Sequence, residues 1–362
     1  MLVCLSPNGP MVHEESDAPA RLLVATMRGV ALIDTAAHDR AWIKNRVTLE
    51  GSHVSALLYD TFGRRVYAGT HGQGVFASAD FGETWAEASS GLTLTNVFSL
   101  ERSVHDGRPK LLAGTEPVML FSSEDDEGTW QSHPGLENFP GSEKWTFPAP
   151  PHVAHLKSIA LDPLDPDVYY ACIEQGALLR SADAGRTWQE ISSYSRPDDP
   201  WYRDIHKIVP DRRDPRRLIM STGVGIYRST DGGTSWEKLT GEDFAIAYPD
   251  HLIVSPRDAA TVFVSGATTT PNVWRATGTA TAMVQRSRDG GSSWHQASNG
   301  LPLHGGAAIE AMSIGKDGNR FTLFVGNTNG EIYASYDEAS SWSRIAAGLA
   351  PVSKAMHAEN LT

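Results

Sequence analysis

Histidines and carboxylates recur at one kind of place in this 362-residue chain, just ahead of short apolar runs. His155, His206 and His251 stand there, with Asp204 and Asp250 beside two of them and Glu310 at the head of a later run. Neutral imidazoles with a carboxylate can hold a divalent ion such as zinc. Imidazole beside Asp or Glu can instead act as general base or acid near neutral pH. Two carboxylates from Asp204, Asp250 and Glu310 would serve glycoside hydrolysis. These six are the catalytic candidates, and His155, His206 and His251 are the metal candidates. His53, Lys157, Arg203 and Tyr248 fall at similar positions, and Trp145, Trp201, Tyr202 and Trp274 lie in irregular segments; these eight are the ligand-binding candidates. No spacing is diagnostic. The HxxH of His152 and His155 precedes a strand-like run and not a helix, GTHGQG joins two such runs, and no GxSxG is present.

The elements that must position these groups come from a repeat. Six segments end in tryptophan: SADFGETW at Trp85, SEDDEGTW at Trp130, SADAGRTW at Trp188, STDGGTSW at Trp236, SRDGGSSW at Trp294 and SYDEASSW at Trp342. A decayed seventh, TAAHDRAW, ends at Trp42, and the intervals are 43 to 58 residues. Two β-rich runs split by a turn precede each copy, as in RRLIMSTGVGIYRS, and an alternating stretch, a loop and another run follow. Four short strands per repeat of this length predict a β-propeller blade. Seven copies predict an all-β, seven-bladed propeller of four-stranded antiparallel blades. In the box, aspartate can cap a tight turn, glycine supplies positive φ, and tryptophan packs against the turn and the adjacent sheet. The copies at Trp42, Trp130 and Trp342 depart from the pattern, so their turns should differ.

SxDxGxTW resembles the Asp box, or bacterial neuraminidase repeat, of sialidases, two-propeller xyloglucanases, the sortilin ectodomain and a photosystem II assembly factor. The resemblance spans residues 21 to 349 and implies the propeller fold. It implies little about activity, because the box is a folding element shared by unrelated proteins. The arginine triad context of a true sialidase is missing, Arg21 and Arg28 being the nearest arginines to its usual place. The xyloglucanases clamp substrate between two propellers, and one is readable here. In the resembled sialidases the active site lies on the face away from the boxes.

Strand bookkeeping suggests how the ring closes. RLLVATMRGVALI reads as the second and third strands of blade one, so the tail PVSKAMHAEN is expected to supply its innermost strand. Residues 1–20 are then an extension over the surface, and 21–362 one propeller. The irregular segments carrying Trp145, Trp201 and Trp274 should all emerge opposite the boxes and overhang the channel mouth. Net charge is −12, from 31 Lys plus Arg and 43 Asp plus Glu, which disfavours nucleic acid and anionic membranes. Cys4 and Cys172 are the two cysteines, so no disulfide framework is expected. The N-terminus lacks a basic start and a long apolar core, which predicts a cytoplasmic protein. Two functions stay open. One is a hydrolase or lyase acting on a small molecule or carbohydrate through the His/carboxylate ring. The other is a noncatalytic scaffold for a protein partner.

Overall fold

The computed structural model describes all residues except 36–40, 106, 126–127, 149, 192–202, 304–305 and 355–362. Seven sheets follow one another along the chain. Blades two to seven each consist of four consecutive antiparallel strands, and their inner strands, Val54–Asp60, Asn96–His105, Leu156–Leu161, Ile205–Pro210, Tyr248–Val254 and Ile309–Asp317, line a central channel. The apolar residues of neighbouring blades interdigitate into cores between the sheets, such as Leu112, Leu156 and Tyr169 between blades three and four. One α-helix, Pro271–Thr277 within the blade-six insertion, and one 3₁₀ turn, Ser142–Lys144, are present among the described residues. The α-helix starts on a proline and stops on left-handed Gly278.

Ring closure differs from the expectation. The inner strand of blade one is Leu2–Leu5, which pairs parallel with Arg21–Thr26. The chain then crosses the channel, and Val12–Glu15 pairs parallel with the inner strand of blade seven. Residues 1–20 are therefore a strap within the propeller and not a surface extension. Leu2, Val3, Cys4 and Leu5 are all buried, and that apolar run fills the place assigned to the tail. Gly9 is required where the strap turns, because a Cβ there would lie 2.2 Å from the Leu57 carbonyl oxygen. Of the expected tail strand, residues 351–354 instead run into the channel mouth, where Val352 N–H donates to the Asn327 carbonyl. Residues 355–362 lie outside the described residues.

Among the described residues the repeated box builds one turn five times. In blade two, Ser78 Oγ accepts from Gly82 N–H at 2.8 Å, and Asp80 accepts from the Thr84 N–H at 2.9 Å and from its hydroxyl. Two successive residues adopt positive φ, Phe81 and Gly82 there. The copy ending at Trp342 was expected to differ, yet Glu338 and Ala339 hold φ of 59° and 62° and Ser335 and Asp337 make the same bonds. Five well-placed hydrogen-bond partners outweigh the modest cost of a left-handed alanine. At Trp130 the Thr129 N–H to Asp125 bond survives as well; the remainder of that turn, and the turn before Trp42, lie outside the described residues.

Most box indoles donate to the preceding blade, to the carbonyls of Ala88, Ile191, Leu239 and Ala297 from Trp130, Trp236, Trp294 and Trp342. Trp188 bonds within its own turn, to Gly185. Each reaching tryptophan thus locks two blades together. Trp294 is buried, edge-on to Phe244 at 5.0 Å. Trp294→Ala should cost about 3–5 kcal/mol, as large buried aromatics do. Chemical denaturation would show it; a midpoint unchanged from the parent chain would mean the ring does not tie the blades.

Candidate functional site

Six inner strands share one irregularity. Each carries a β-bulge near its start, and the unpaired residue is Ser55, Phe98, Lys157, His206, Asp250 or Glu310 in blades two to seven. A bulge bends a strand and re-aims the side chain at it. Serines of these inner strands donate to the next blade's backbone, from Ser99 to Leu156 at 2.8 Å, Ser158 to His206 at 2.9 Å and Ser313 to Cys4 at 2.8 Å, which stitches the strands around the channel.

The bulges bring the candidate residues of blades four to seven into one buried ionic cluster. His155 Nε2 donates to Glu174 Oε2 at 2.7 Å, and Lys157 Nζ donates to Glu174 Oε1 at 2.7 Å and stands 3.4 Å from Asp250 Oδ1. His206 Nδ1 donates to the Pro249 carbonyl, while its Nε2 faces Asp204 Oδ1 at 3.2 Å. Lys354, arriving on the tail, donates to Asp250, and its backbone N–H donates to Glu310 at 3.2 Å. Burial acts most strongly on Glu174 and would raise its pKa, but Lys157 and His155 prevail and hold it well below the usual carboxylate range. Asp250 is held low in the same way by Lys354 and Lys157. Burial would lower Lys354, yet Asp250, Glu310 and Glu174 keep it raised.

Around this cluster runs an arc of rings. His53 stacks on His71 with centroids 4.4 Å apart, His71 meets Phe98 edge-on at 4.5 Å, Phe98 stacks on His155 at 3.8 Å, and Phe147 lies 4.8 Å from His155. On the other side His206 meets Tyr248 at 4.8 Å and Tyr248 meets Trp274 at 5.6 Å. His53 Nε2 donates to the Ser353 carbonyl at 3.0 Å.

Several expectations change here. The three metal-candidate histidines do not converge, because His251 Nε2 is turned to the strap and donates to the Pro7 carbonyl at 2.9 Å. Burial pushes His251 down to about 4, so it is neutral at physiological pH. The group whose ligand atoms do lie within 4.8 Å of one another is Glu174, Asp204 and His206. The Lys157 ammonium at Glu174 already holds a cation's place there. Trp274 does not overhang the mouth; it is buried in its own loop, its indole donating to the Thr269 carbonyl at 2.9 Å. Trp145 is half-buried against Phe139 at 5.8 Å. Arg203 gives its carbonyl to Gly176 N–H at 3.2 Å, and Trp201 and Tyr202 lie outside the described residues. Glu174 was missed. It directly follows the second strand of blade four, Tyr169–Ile173, at the place where blade three has Glu116, so aligning strand ends across repeats would have found both.

No protein-family model matches the chain. Xyloglucanase Xgh74A of Acetivibrio thermocellus is 26% identical over 259 residues, which are 63% of this chain and 30% of that protein. A xyloglucanase of a Paenibacillus species is 25% identical over 271 residues, 64% of this chain and 25% of that one. The chain is similar in sequence to xyloglucanases. It spans less than a third of the length of these curated relatives. Among solved structures, an ancestral GH74 enzyme matches with TM-score 0.60 and 19% identity over 78% of this chain and 37% of its own. YCF48 bound to D1 peptide matches with TM-score 0.58 and 13% identity over 92% and 94%. Both structural matches bear on the fold alone.

Proposed function

We propose that the protein is a carbohydrate-recognising propeller whose ligand lies at the mouth opposite the box turns. The observation that carries this is the arc of stacked rings from His53 to His155, an aromatic edge with polar groups converging beneath it, as ligand sites have. Similarity to xyloglucanases supports a sugar as the ligand. The ionic cluster below acts as a rigid support. Hydrolysis needs an acid and a base free to face a cleft, whereas Glu174, Asp250 and Glu310 are already engaged by His155, Lys157 and the tail.

A peptide-binding scaffold is the second reading, and one observation favours it. Residues 351–354 of the chain itself enter the mouth and place Lys354 on Asp250, as an extended peptide would. The match to a peptide-bound propeller over nearly the whole of both chains is consistent with that. Calorimetry with xyloglucan oligosaccharides, run beside a reducing-end release assay, separates the readings. Binding without release, weakened at least tenfold by Phe147→Ala, is expected. Release that is lost in an Asp250→Asn variant whose circular dichroism shows it still folded would establish a hydrolase instead, and no binding of any oligosaccharide would leave the peptide reading.

A further inference from the structure

The channel holds a second open space at its other end. A cavity of about 350 Å³ opens on the face of the box turns, walled by the inner strands of blades four, five and six and by strap residues 8–12. Lys207 stands in its wall and is 4% exposed. The mouth lysines, Lys157 and Lys354, each have a carboxylate partner. The Lys207 ammonium has no hydrogen bond or ion pair with any described residue. Asn8, 2% exposed, also lines the cavity, and neither its amide oxygen nor its nitrogen has a partner. Glu101 completes the polar set, with Oε1 accepting from the Arg102 N–H at 2.9 Å. A buried ammonium without a direct counter-ion is costly, all the more here because Lys157 and Lys354 repel it while Asp250 attracts it without pairing, and a buried unpaired amide is costly too. An open space beside both gives an outside partner room to enter.

We propose that this cavity binds a small organic monocarboxylate, with the Lys207 ammonium as its counter-ion and Asn8 and Glu101 as hydrogen-bonding partners. The single buried cation and the neighbouring Glu101 suit one negative charge better than two. Burial raises Glu101 to about 7 against the pull of Lys207, and water reaching this half-buried side chain through the cavity tempers the rise. In its neutral form Glu101 can donate to a carboxylate. Burial pushes Lys207 down to about 8. Both titrations work against the ligand as pH rises, so binding should be tighter at pH 6 than at pH 9. Arg213 stands at the opening beside Arg212 and Arg257, which are paired with Glu14 and Glu338, while the rim carboxylates Asp211 and Asp258 cap the backbone of their own turns. The rim is thus of mixed charge, and the attraction for an anion comes from the Lys207 ammonium behind it. The proposal does not depend on the carbohydrate reading, which concerns the opposite mouth.

The test is calorimetric titration of the full chain with acetate, glucuronate and inorganic phosphate at pH 6 and pH 9, repeated on Lys207→Gln. At least one carboxylate should bind the parent chain at pH 6, bind at least tenfold more weakly at pH 9 and to Lys207→Gln, and exceed phosphate. Failure of both carboxylates to bind, equal binding to the variant, or tighter binding of phosphate would overturn the proposal. Amine-modification mass spectrometry on the parent chain gives a readout that needs no variant: the bound carboxylate should protect Lys207 at least threefold, and unchanged labelling of Lys207 counts against the site.

Discussion

A chain lacking residues 1–16 should not fold cooperatively. The deletion removes the inner strand of blade one and the added strand of blade seven together. Burial of Leu2, Val3 and Leu5 alone contributes roughly 5–9 kcal/mol at about 1.5–3 kcal/mol for each side chain. That approaches the whole stability of a typical domain, about 5–15 kcal/mol. The deletion also bares an apolar sheet edge, which invites aggregation. Circular dichroism during heating should show a broad or absent transition and low solubility. A sharp transition within a few degrees of the full chain would mean that the strap is dispensable.

Asp250→Ala should be the most damaging single substitution at the channel mouth, at about 3–5 kcal/mol, because it leaves buried ammonium groups without their counter-charge. Lys354 and Lys157 both lean on this carboxylate, and His206 Nδ1 stands 3.9 Å from it. The sign of the pH dependence follows from its depressed pKa. Between the ordinary carboxylate pKa near 4 and the lower folded value, the unfolded chain binds the proton and the folded one does not. Its stabilisation is therefore complete above about pH 4 and is lost as pH falls through the folded value. The difference in unfolding free energy between parent and variant should be full at pH 7 and shrink below pH 4. A difference that stays constant down to pH 2 would show that the lost packing, and not the charge, is what the substitution removes.

The spacing of the box tryptophans made the blade count legible, because each copy closes one blade and most of the indoles reach back to the preceding sheet. The recurrence of candidates just ahead of apolar runs has a related cause. Ser55, Lys157, His206 and Asp250 are all bulge residues near the heads of inner strands, and in these four blades the bulge keeps one distance from the turn that follows. Closure was not legible. LVCL is too short to announce a strand, and its pairing is parallel with a segment about twenty residues on, which no turn signal marks. Glu174 and Lys207 were missed because both lie within runs that read as ordinary sheet. Their importance comes from which neighbours are charged, and only the closed ring brings those together.

The strap also sets a timetable. Val12–Glu15 leaves the ribosome some three hundred residues ahead of the strand it pairs with, Ile309–Asp317. Ser313 and Cys4, which bond across the seam, are 309 positions apart. At about 5–20 residues per second, translation holds the two apart for on the order of 15–60 s. Blades two to six can pair their own strands during that wait, since each is a run of local hairpins. The ring cannot shut until Ile309–Asp317 emerges, and the ionic cluster cannot gain Lys354 until still later. The strap thus waits far longer for its partner than any hairpin of blades two to six, and the nascent propeller is most exposed to mispairing at its seam.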